Sequence, residues 1–194
     1  MSGKMNNCSY KNGGAPPKAS KETSSCIIVV FGVTGDLARK KIIPALYKLF
    51  AMGLLNEKTR IVGIGRRNYD DIEYNEYIKS AVEKAGRHGE SAAEEFVKIN
   101  SYYGADFTVP GEYPGIREYL KKLAAKYKIC DFLYYLSTPP ANFEQIITSL
   151  HDSGLSRPDF LDVSCAGSFV RVVIEKPYGY DISSARALNE TKTA

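Results

Sequence analysis

CIIVVFGVTGDLARKK, residues 26–41, is the stretch that decides the fold of this 194-residue chain. Its first six residues are apolar and mostly β-branched, which is typical of a strand that is buried on both faces. Gly32 and Gly35 then form a turn, and from Asp36 onward apolar residues recur with helical spacing. A strand, a glycine turn and a helix in this order are typical of a phosphate-binding unit, because the helix N-terminus faces the anion.

A helix is predicted over residues 36–52, with Gly53 at the position where a helix ends. Pro44 lies inside this helix, and its missing N–H leaves the Lys40 carbonyl unpaired, so a kink is predicted there. The apolar face is predicted to consist of Leu37, Ala38, Ile42, Ala45, Leu46 and Leu49.

The rest of the chain alternates between strand-like and helix-like patterns. Strands are predicted at 60–65, near 102–107, at 130–137 and, again buried, at 169–175; helices are predicted near 71–85, 91–99, 116–127 and 139–151 and from about residue 182. Strands separated by helices favour a parallel sheet with right-handed crossovers. The predicted fold class is therefore α/β, a doubly wound parallel sheet of the Rossmann-like, dinucleotide-binding type.

Composition and charge are those of a globular protein, with 44% hydrophobic and 25% charged residues. No run approaches the roughly 18 apolar residues of a membrane span, which excludes an integral membrane protein. Residues 1–25 are polar and without periodicity, so we expect a disordered tail followed by one domain at 26–194. The tail holds +3 of the +4 net charge (four Lys, one Glu), and the nearly neutral remainder argues against nucleic-acid binding.

The cysteines do not form a C-x-x-C pair, and the chain has only two histidines, which argues against a zinc site. Cys26 and Cys130 each begin an apolar run, where a free thiol behaves as a small buried hydrophobic group. Residues 1–25 lack the apolar core of a secretory signal, so a reducing, cytoplasmic setting is expected.

The glycine turn has the residues that a bound pyrophosphate needs. Gly32 permits a tight turn, Gly35 lets the backbone approach a phosphate, and Ala38 lets the helix pack closely on the strand. Thr34 can donate its hydroxyl to a phosphate or cap the helix. The spacing is G-x-x-G-x-x-A, and a glycine turn without a ligand is the alternative.

Two arginines follow the second predicted strand, where a protein that binds NAD usually has an acidic residue for the ribose 2′-hydroxyl. Arg66 and Arg67 occupy this position, and the first acidic residue is Asp70. A guanidinium binds a 2′-phosphate through two parallel hydrogen bonds, so the pair favours NADP over NAD; a solvated charge pair is the alternative. The chain has no P-loop motif and no Tyr-x-x-x-Lys pair, which disfavours two other classes of nucleotide-binding protein.

Four segments in the expected order resemble those of the glucose-6-phosphate dehydrogenase family. FGVTGDLARKK (31–41) is similar to the family's cofactor loop, and IEKPYG (174–179) is similar to its E-K-P-[FY]-G motif. IVGIGR (61–66) and YLSTPP (135–140) fit two further segments. The resemblance extends from about Cys26 to Asn189, which covers almost all of the predicted domain.

This resemblance implies a set of site residues. Contacts with the pyrophosphate and ribose of NADP are implied for Gly32, Val33, Thr34, Gly35, Asp36, Leu37, Ala38 and Arg39. Arg66 would bind the 2′-phosphate, and Phe143 falls where the family has an aromatic residue that contacts the cofactor. Lys176 would touch both the sugar and the nicotinamide end. Independently, Lys176 follows a strand at the carboxyl edge of the sheet, where open α/β folds bind ligands.

The resemblance also implies a reaction, in which hydride passes from C1 of glucose 6-phosphate to NADP⁺ and a lactone forms, as in the oxidative pentose phosphate pathway. The family's catalytic histidine lies in a His-Tyr-Leu-Gly-Lys-Glu motif that is absent from residues 1–194. We therefore assign no catalytic residue here, and expect a fragment without the family's large C-terminal catalytic domain.

Other functions stay open at this point. The chain could be a non-catalytic NADP(H)-binding module or a truncated remnant, or a dehydrogenase of another phosphorylated sugar. Its expected partner is a small-molecule substrate, with neither a nucleic acid nor a membrane, and the full-length protein could form a homo-oligomer.

Overall fold

A computed structural model describes residues 24–83, 90–161, 165 and 167–175 of the chain. They include one parallel sheet, formed by β1 (Cys26–Phe31), β2 (Arg60–Gly65), β3 (Asn100–Gly104), β4 (Asp131–Leu136) and β5 (Val170–Ile174). The strands lie in the order β3-β2-β1-β4-β5. From β1 the chain adds strands β2 and β3 on one side and then β4 and β5 on the other, which confirms the predicted doubly wound α/β fold. The point at which the direction changes, called the switch point, lies at the end of β1, between β1 and β4.

Both faces of the sheet are covered by helices. These are α1 (Ile43–Ala51), α2 (Asp71–Val82), α3 (Glu90–Lys98), α4 (Tyr113–Tyr127) and α5 (Phe143–Asp152), with 3₁₀ turns at Pro110–Glu112, Pro140–Asn142 and Pro158–Phe160. One hydrophobic core contains Tyr47 of α1, Ile78 of α2 and Phe96 of α3. The other contains Leu120 of α4 and Leu150 of α5. Alternate residues of β1 enter the two cores, so this central strand is almost completely buried.

Two strands differ from their prediction. β3 begins at Asn100, two residues before the predicted start. β5 is not a fully buried strand, because it pairs with β4 alone among the described strands and lies at the edge of the sheet. Arg171 and Val172 are accordingly exposed.

The predicted apolar face of the first helix is confirmed only in part, because that helix contains a π-helical segment. Ala38 is buried and Ile42 and Leu46 pack against the core, but Ala45 and Leu49 are exposed. Within Ala38–Ile42 the backbone closes a wider turn, and the Ile43 N–H donates to the Ala38 carbonyl five residues earlier. One extra residue per turn rotates every later side chain by about 100°. The buried positions therefore run from Ala38 to Ile43 and Tyr47, and Leu49 is 39% exposed.

Pro44 follows this π-helical segment directly. It is the second residue of α1 in a helix that is continuous from Asp36, so the helix departs from regular α geometry next to the residue at which a kink is predicted. α1 ends at Ala51, and Gly53 has the positive φ of +67° expected after a helix, so the predicted helix end is confirmed within one residue.

The prediction of a free thiol at Cys130 is wrong, because Cys130 and Cys165 form a disulfide with their Cα atoms 5.7 Å apart. Cys130 directly precedes β4 and Cys165 precedes β5, and neighbouring parallel strands bring both to the amino edge of the sheet. Cys26 is free, as expected; burial and the neighbouring Asp131 carboxylate raise the pKa of its thiol to about 11.

Several predictions fall outside the described residues. These are most of the tail (1–23), the turn at 176–179 with Lys176, and the last helix from about residue 182. Among the described residues, no helix has the length and apolar character needed to cross a membrane.

Candidate cofactor-binding site

The turn after β1 lies at the switch point of the sheet and is held there by backbone hydrogen bonds. The Gly32 N–H donates to the Ile64 carbonyl of β2 (2.9 Å), and the Gly35 N–H donates to the Gly32 carbonyl (2.9 Å). Gly32 has a φ of +77°, and a Cβ there would lie 2.9 Å from the Ser137 carbonyl oxygen and from Thr138 Cγ2. Glycine is therefore required for both conformation and space, as the sequence predicts.

The helix after this turn begins without a side-chain cap, so the predicted capping role of Thr34 is not seen among the described contacts. A Cβ at Gly35 would lie 3.1 Å from the Gly32 carbonyl oxygen, so the backbone is drawn tightly together. Ala38 is completely buried and lets the helix approach the sheet. An uncapped helix start with a close, side-chain-free backbone fits a pyrophosphate, whose charge the helix dipole stabilises.

A cavity of about 490 Å³ opens beside this turn, at the carboxyl edge of β1 and β2. Residues from the turn, the loop after β2 and helix α2 line it: Thr34, Asp36, Arg39, Arg67, Tyr69, Glu73, Glu76, Tyr77 and Ser80. The structure thus brings Thr34, Asp36 and Arg39 of the predicted set to one cavity, and their contact with NADP stays a prediction. The cavity is also lined by Arg67, the second arginine of the pair after β2, and by Tyr69 and Tyr77, which the sequence does not single out.

Tyr69, Tyr74, Tyr77 and Tyr102 form a tyrosine cluster behind this cavity, with ring centroids 4.9 to 6.3 Å apart. The Tyr77 hydroxyl donates to the Val33 carbonyl of the glycine turn (2.7 Å). The Tyr102 hydroxyl lies 2.7 Å and 2.6 Å from the Gly65 and Arg67 carbonyl oxygens. The cluster therefore fixes the two loops between which the cavity lies.

The glycines of β2 leave space for this cluster. A Cβ at Gly63 would collide with the Tyr74 hydroxyl, and a Cβ at Gly65 would lie 3.1 Å from the Tyr102 hydroxyl. Glycine inside a strand marks the close approach of another group. The glycines of RIVGIG were therefore a signal that could have predicted aromatic packing against this strand.

Burial raises the pKa of three tyrosines of this cluster, Tyr74, Tyr77 and Tyr102. Desolvation, with a smaller contribution from Tyr69, raises the pKa of Tyr77 and of Tyr102 to about 12. Burial also raises the pKa of Tyr74 well above its ordinary value. Their hydroxyls are therefore neutral hydrogen-bond donors across the physiological pH range.

The two arginines after β2 occupy different places. Arg67 lines the cavity, donates from Nη1 to the Tyr69 hydroxyl (2.8 Å), and has its guanidinium carbon 5.9 Å from the Tyr69 ring centroid. The hydroxyl contact raises the pKa of the guanidinium. Arg66 and Arg67 are both exposed, but Arg66 is not among the residues that line the cavity. It lies near Asp106, whose carboxyl pKa is lowered mainly by hydrogen bonds from Thr108 and slightly by Arg66.

Phe143 is not brought to the cavity. It begins α5, is completely buried, and belongs to the core beneath the sheet. The contact of its ring with the cofactor, which the family resemblance implies, stays a prediction. Lys176 lies outside the described residues, but Glu175 directly before it accepts a hydrogen bond from the Tyr135 hydroxyl of β4.

Two buried hydroxyls lie at the switch point that the sequence did not identify as site residues. Ser137 and Thr138 directly follow β4, are 6% and 7% exposed, and their hydroxyl oxygens have no hydrogen-bond partner. Both lie against Gly32, where the backbone of the turn reaches its closest approach to β4. Elsewhere, the described residues contain no His/Cys/Asp/Glu group that could hold a metal ion.

The sheet order, the uncapped helix and the glycine turn at the switch point define a dinucleotide-binding domain of the Rossmann type. The family model "Glucose-6-phosphate dehydrogenase, NAD binding domain" matches residues 29–193. The chain therefore belongs to the glucose-6-phosphate dehydrogenase family.

Similar proteins agree with this assignment. Glucose-6-phosphate 1-dehydrogenase 2 of Mycobacterium bovis is 36% identical over 87% of this chain and 32% of its own length. The Bacillus subtilis glucose-6-phosphate 1-dehydrogenase is 31% identical over 88% of this chain and 33% of its own length. A solved structure of a glucose-6-phosphate dehydrogenase in complex with its substrate glucose 6-phosphate matches with a TM-score of 0.73 and 28% sequence identity. The match covers 89% of this chain and 34% of the chain in that structure. The chain thus spans about a third of the length of these relatives.

Proposed function

We propose that this chain is the cofactor-binding part of a glucose-6-phosphate dehydrogenase that oxidises glucose 6-phosphate to 6-phosphoglucono-lactone with NADP⁺. The observation that carries the proposal is the glycine turn at the switch point of the sheet, in a chain of this family. In the cell this reaction would belong to the oxidative pentose phosphate pathway, and we propose a cytoplasmic location.

The residues present fit a dinucleotide. A Cβ would fill the space at Gly32, and the turn ends at a helix start without a side-chain cap. We propose that residues 32–39 bind the pyrophosphate and ribose through backbone N–H groups and the Thr34 hydroxyl. The Arg66–Arg67 pair supports NADP as the nucleotide, and Arg66 is the member that the family resemblance selects for the 2′-phosphate.

When bound, the nicotinamide accepts the hydride that leaves C1 of the sugar. Lys176 is proposed to bind the sugar and the nicotinamide end, because it comes two residues after β5 at the carboxyl edge of the sheet. The hydrogen bond between Tyr135 and Glu175 ties the end of β5 to β4 and so holds the backbone that leads into Lys176.

None of the described residues is assigned as the base that removes the C1 hydroxyl proton. His151 is the described histidine, and it lies at the end of α5, so the helix carries it away from the carboxyl edge of the sheet. Its Nδ1 lies 3.3 Å from the Asp152 carboxylate, with both side chains largely exposed. The proposed share of this chain is therefore cofactor binding and substrate contact by Lys176.

The test is the formation of NADPH by the native protein with glucose 6-phosphate, followed by absorbance. We expect turnover that is strongly reduced in Lys176→Ala. Binding of adenosine 2′,5′-bisphosphate, which lacks the nicotinamide that Lys176 is proposed to contact, should be retained and serves as the control. Turnover with another phosphorylated sugar but not with glucose 6-phosphate would identify a different dehydrogenase. Binding of NADP⁺ without turnover of any sugar phosphate would identify a non-catalytic binding module, and absence of nucleotide binding would contradict the proposal altogether.

A further inference from the structure

The carboxyl end of β5 has a single neighbouring strand among the described residues. β5 pairs with β4 alone, and the last pair of this ladder joins Ile174 to Leu136. The residue after Leu136 is Ser137, and its N–H donates to the Phe31 carbonyl of β1 (3.0 Å), on the other side of β4 from β5. Glu175 therefore lies past the last strand pair, where β5 ends.

A side chain of β4 reaches across to Glu175. Val173 lies opposite Tyr135 in the strand register, so Glu175, two residues further on, shares a face of the sheet with both. The Tyr135 hydroxyl donates to Glu175 Oε1, and the two residues, 40 positions apart in the chain, thus form a diagonal contact between neighbouring strands. This contact extends the pairing of β4 with β5 beyond the end of the ladder.

The hydroxyl that makes this contact has a defined position and charge. The Tyr135 ring is half-buried and packs against the core that contains Tyr47 and Phe96. Burial raises the pKa of Tyr135, and the contact with Glu175 raises it further. The hydroxyl is therefore a neutral donor to a carboxylate, and such a hydrogen bond is stronger than one between two neutral groups.

The amino end of β5 is held by other contacts, so the effect of Tyr135 is local. The Phe169 N–H donates to the Asp131 carboxylate, and the Phe132 N–H donates to the Phe169 carbonyl, both at 2.9 Å. The disulfide of Cys130 also ties the segment before β5 to the start of β4. Loss of the Tyr135 hydroxyl would thus leave the strand in place and release only its carboxyl end.

We propose that Tyr135 is a positioning residue of the reaction, which holds Glu175 and thereby the backbone from which Lys176 extends. The inference rests on the proposed function, in which Lys176 contacts the sugar and the nicotinamide end of the cofactor. A group that meets two ligands at once tolerates little displacement, and a small displacement costs most in the transition state. The contribution of Tyr135 therefore lies in the rate of turnover and not in nucleotide affinity.

The test compares Tyr135→Phe with Tyr134→Phe in the native protein. Tyr134 is a matched control, because it is the neighbouring residue of β4 and its hydroxyl donates to the Leu155 carbonyl in the opposite core, at 3.0 Å. Each variant keeps the aromatic ring and loses one hydrogen bond. Circular dichroism shows whether both variants fold, and formation of NADPH with glucose 6-phosphate gives kcat and KM.

For Tyr135→Phe we expect kcat to fall about 10-fold, as for a lost hydrogen bond to a charged group, while KM changes by less than about three-fold. Binding of adenosine 2′,5′-bisphosphate, measured by calorimetry, should be unchanged, since this ligand lacks the nicotinamide end. Tyr134→Phe should lower the midpoint temperature of thermal unfolding and change kcat by less than about two-fold. An equal fall of kcat in both variants, or no fall in Tyr135→Phe, would overturn the inference.

A double-mutant cycle tests whether Tyr135 acts through Glu175. Glu175→Ala removes the acceptor and should lower kcat by at least as much as Tyr135→Phe. In this background Tyr135→Phe should cause a further change of less than about two-fold, because its partner is already gone. Losses that multiply to about 100-fold would show that Tyr135 acts independently of Glu175, which contradicts the inference. If the unsubstituted protein does not oxidise glucose 6-phosphate, the proposed function fails and the inference fails with it.

Discussion

Replacement of Gly32 by alanine tests whether the turn at the switch point needs glycine for space as well as for conformation. Gly32 has a φ of +77°, and holding alanine at positive φ costs about 1–2 kcal/mol. In addition, the new Cβ would lie 2.9 Å from the Ser137 carbonyl oxygen, a backbone atom that cannot rotate away. Overpacking of this kind adds about 1–3 kcal/mol, so we expect a total loss of about 2–5 kcal/mol in the free energy of unfolding.

Two other glycines of the chain provide matched controls. Gly53 has a similar φ of +67° but nothing within 4 Å of its Cβ position, so Gly53→Ala should show the conformational cost alone, about 1–2 kcal/mol. Gly111 has neither a positive φ nor a close neighbour, so Gly111→Ala should be neutral or slightly stabilising.

Urea unfolding followed by circular dichroism measures all three variants under the same conditions. The difference between Gly32→Ala and Gly53→Ala isolates the contact with Ser137 and Thr138. Equal losses in these two variants would refute the steric argument, and would mean that the strand end at Ser137 moves freely.

Three further predictions follow from contacts described above. Cys130→Ser should lower the free energy of unfolding by about 3–4 kcal/mol, because the disulfide with Cys165 closes a 35-residue loop. Labelling of Cys130 by an alkylating reagent without prior reduction would contradict the disulfide, and would agree with a reducing compartment, in which disulfides are rare. Tyr77→Phe removes the hydrogen bond that orders the turn at the Val33 carbonyl, worth about 1 kcal/mol. NADP⁺ should therefore bind more weakly, by at most about five-fold, and unchanged affinity in calorimetry would show that the turn does not need this bond. Burial raises the pKa of Tyr77 and Tyr102 to about 12, so between about pH 10 and 12 the folded state keeps protons that the unfolded chain releases. The midpoint temperature of thermal unfolding should therefore fall as the pH rises from about 10 to about 12, and a constant midpoint over this range would contradict the raised pKa values.

The fold could be predicted because its signals are local. The apolar run of β1, the glycine turn and the end of α1 near Gly53 each depend on a few neighbouring residues. The orientation of the first helix could not be predicted in this way. The predicted face shares Ala38 with the buried series, but after the π-helical segment the fully buried side chains are Ile43 and Tyr47, which only packing against the sheet selects.

Only the parts of the candidate site that directly follow a strand could be predicted from the sequence. Gly32 and the loop after β2 are visible in the sequence, because each directly follows a strand. The contacts that organise the cavity join distant residues, as between Tyr77 and Val33, 44 positions apart. That Arg67 lines the cavity depends on the conformation of the loop after β2, and the Cys130–Cys165 bond depends on the pairing of β4 with β5.

The tyrosine cluster also gives this domain an optical property. The 194 residues contain 14 tyrosines and no tryptophan, so their ultraviolet emission is that of tyrosine alone. Rings 4.9 to 6.3 Å apart exchange excitation before they emit, and Tyr69 and Tyr77 line the cavity itself. A nucleotide that quenches either ring would therefore lower the fluorescence of the whole cluster, so nucleotide binding could be followed by tyrosine emission without an attached label.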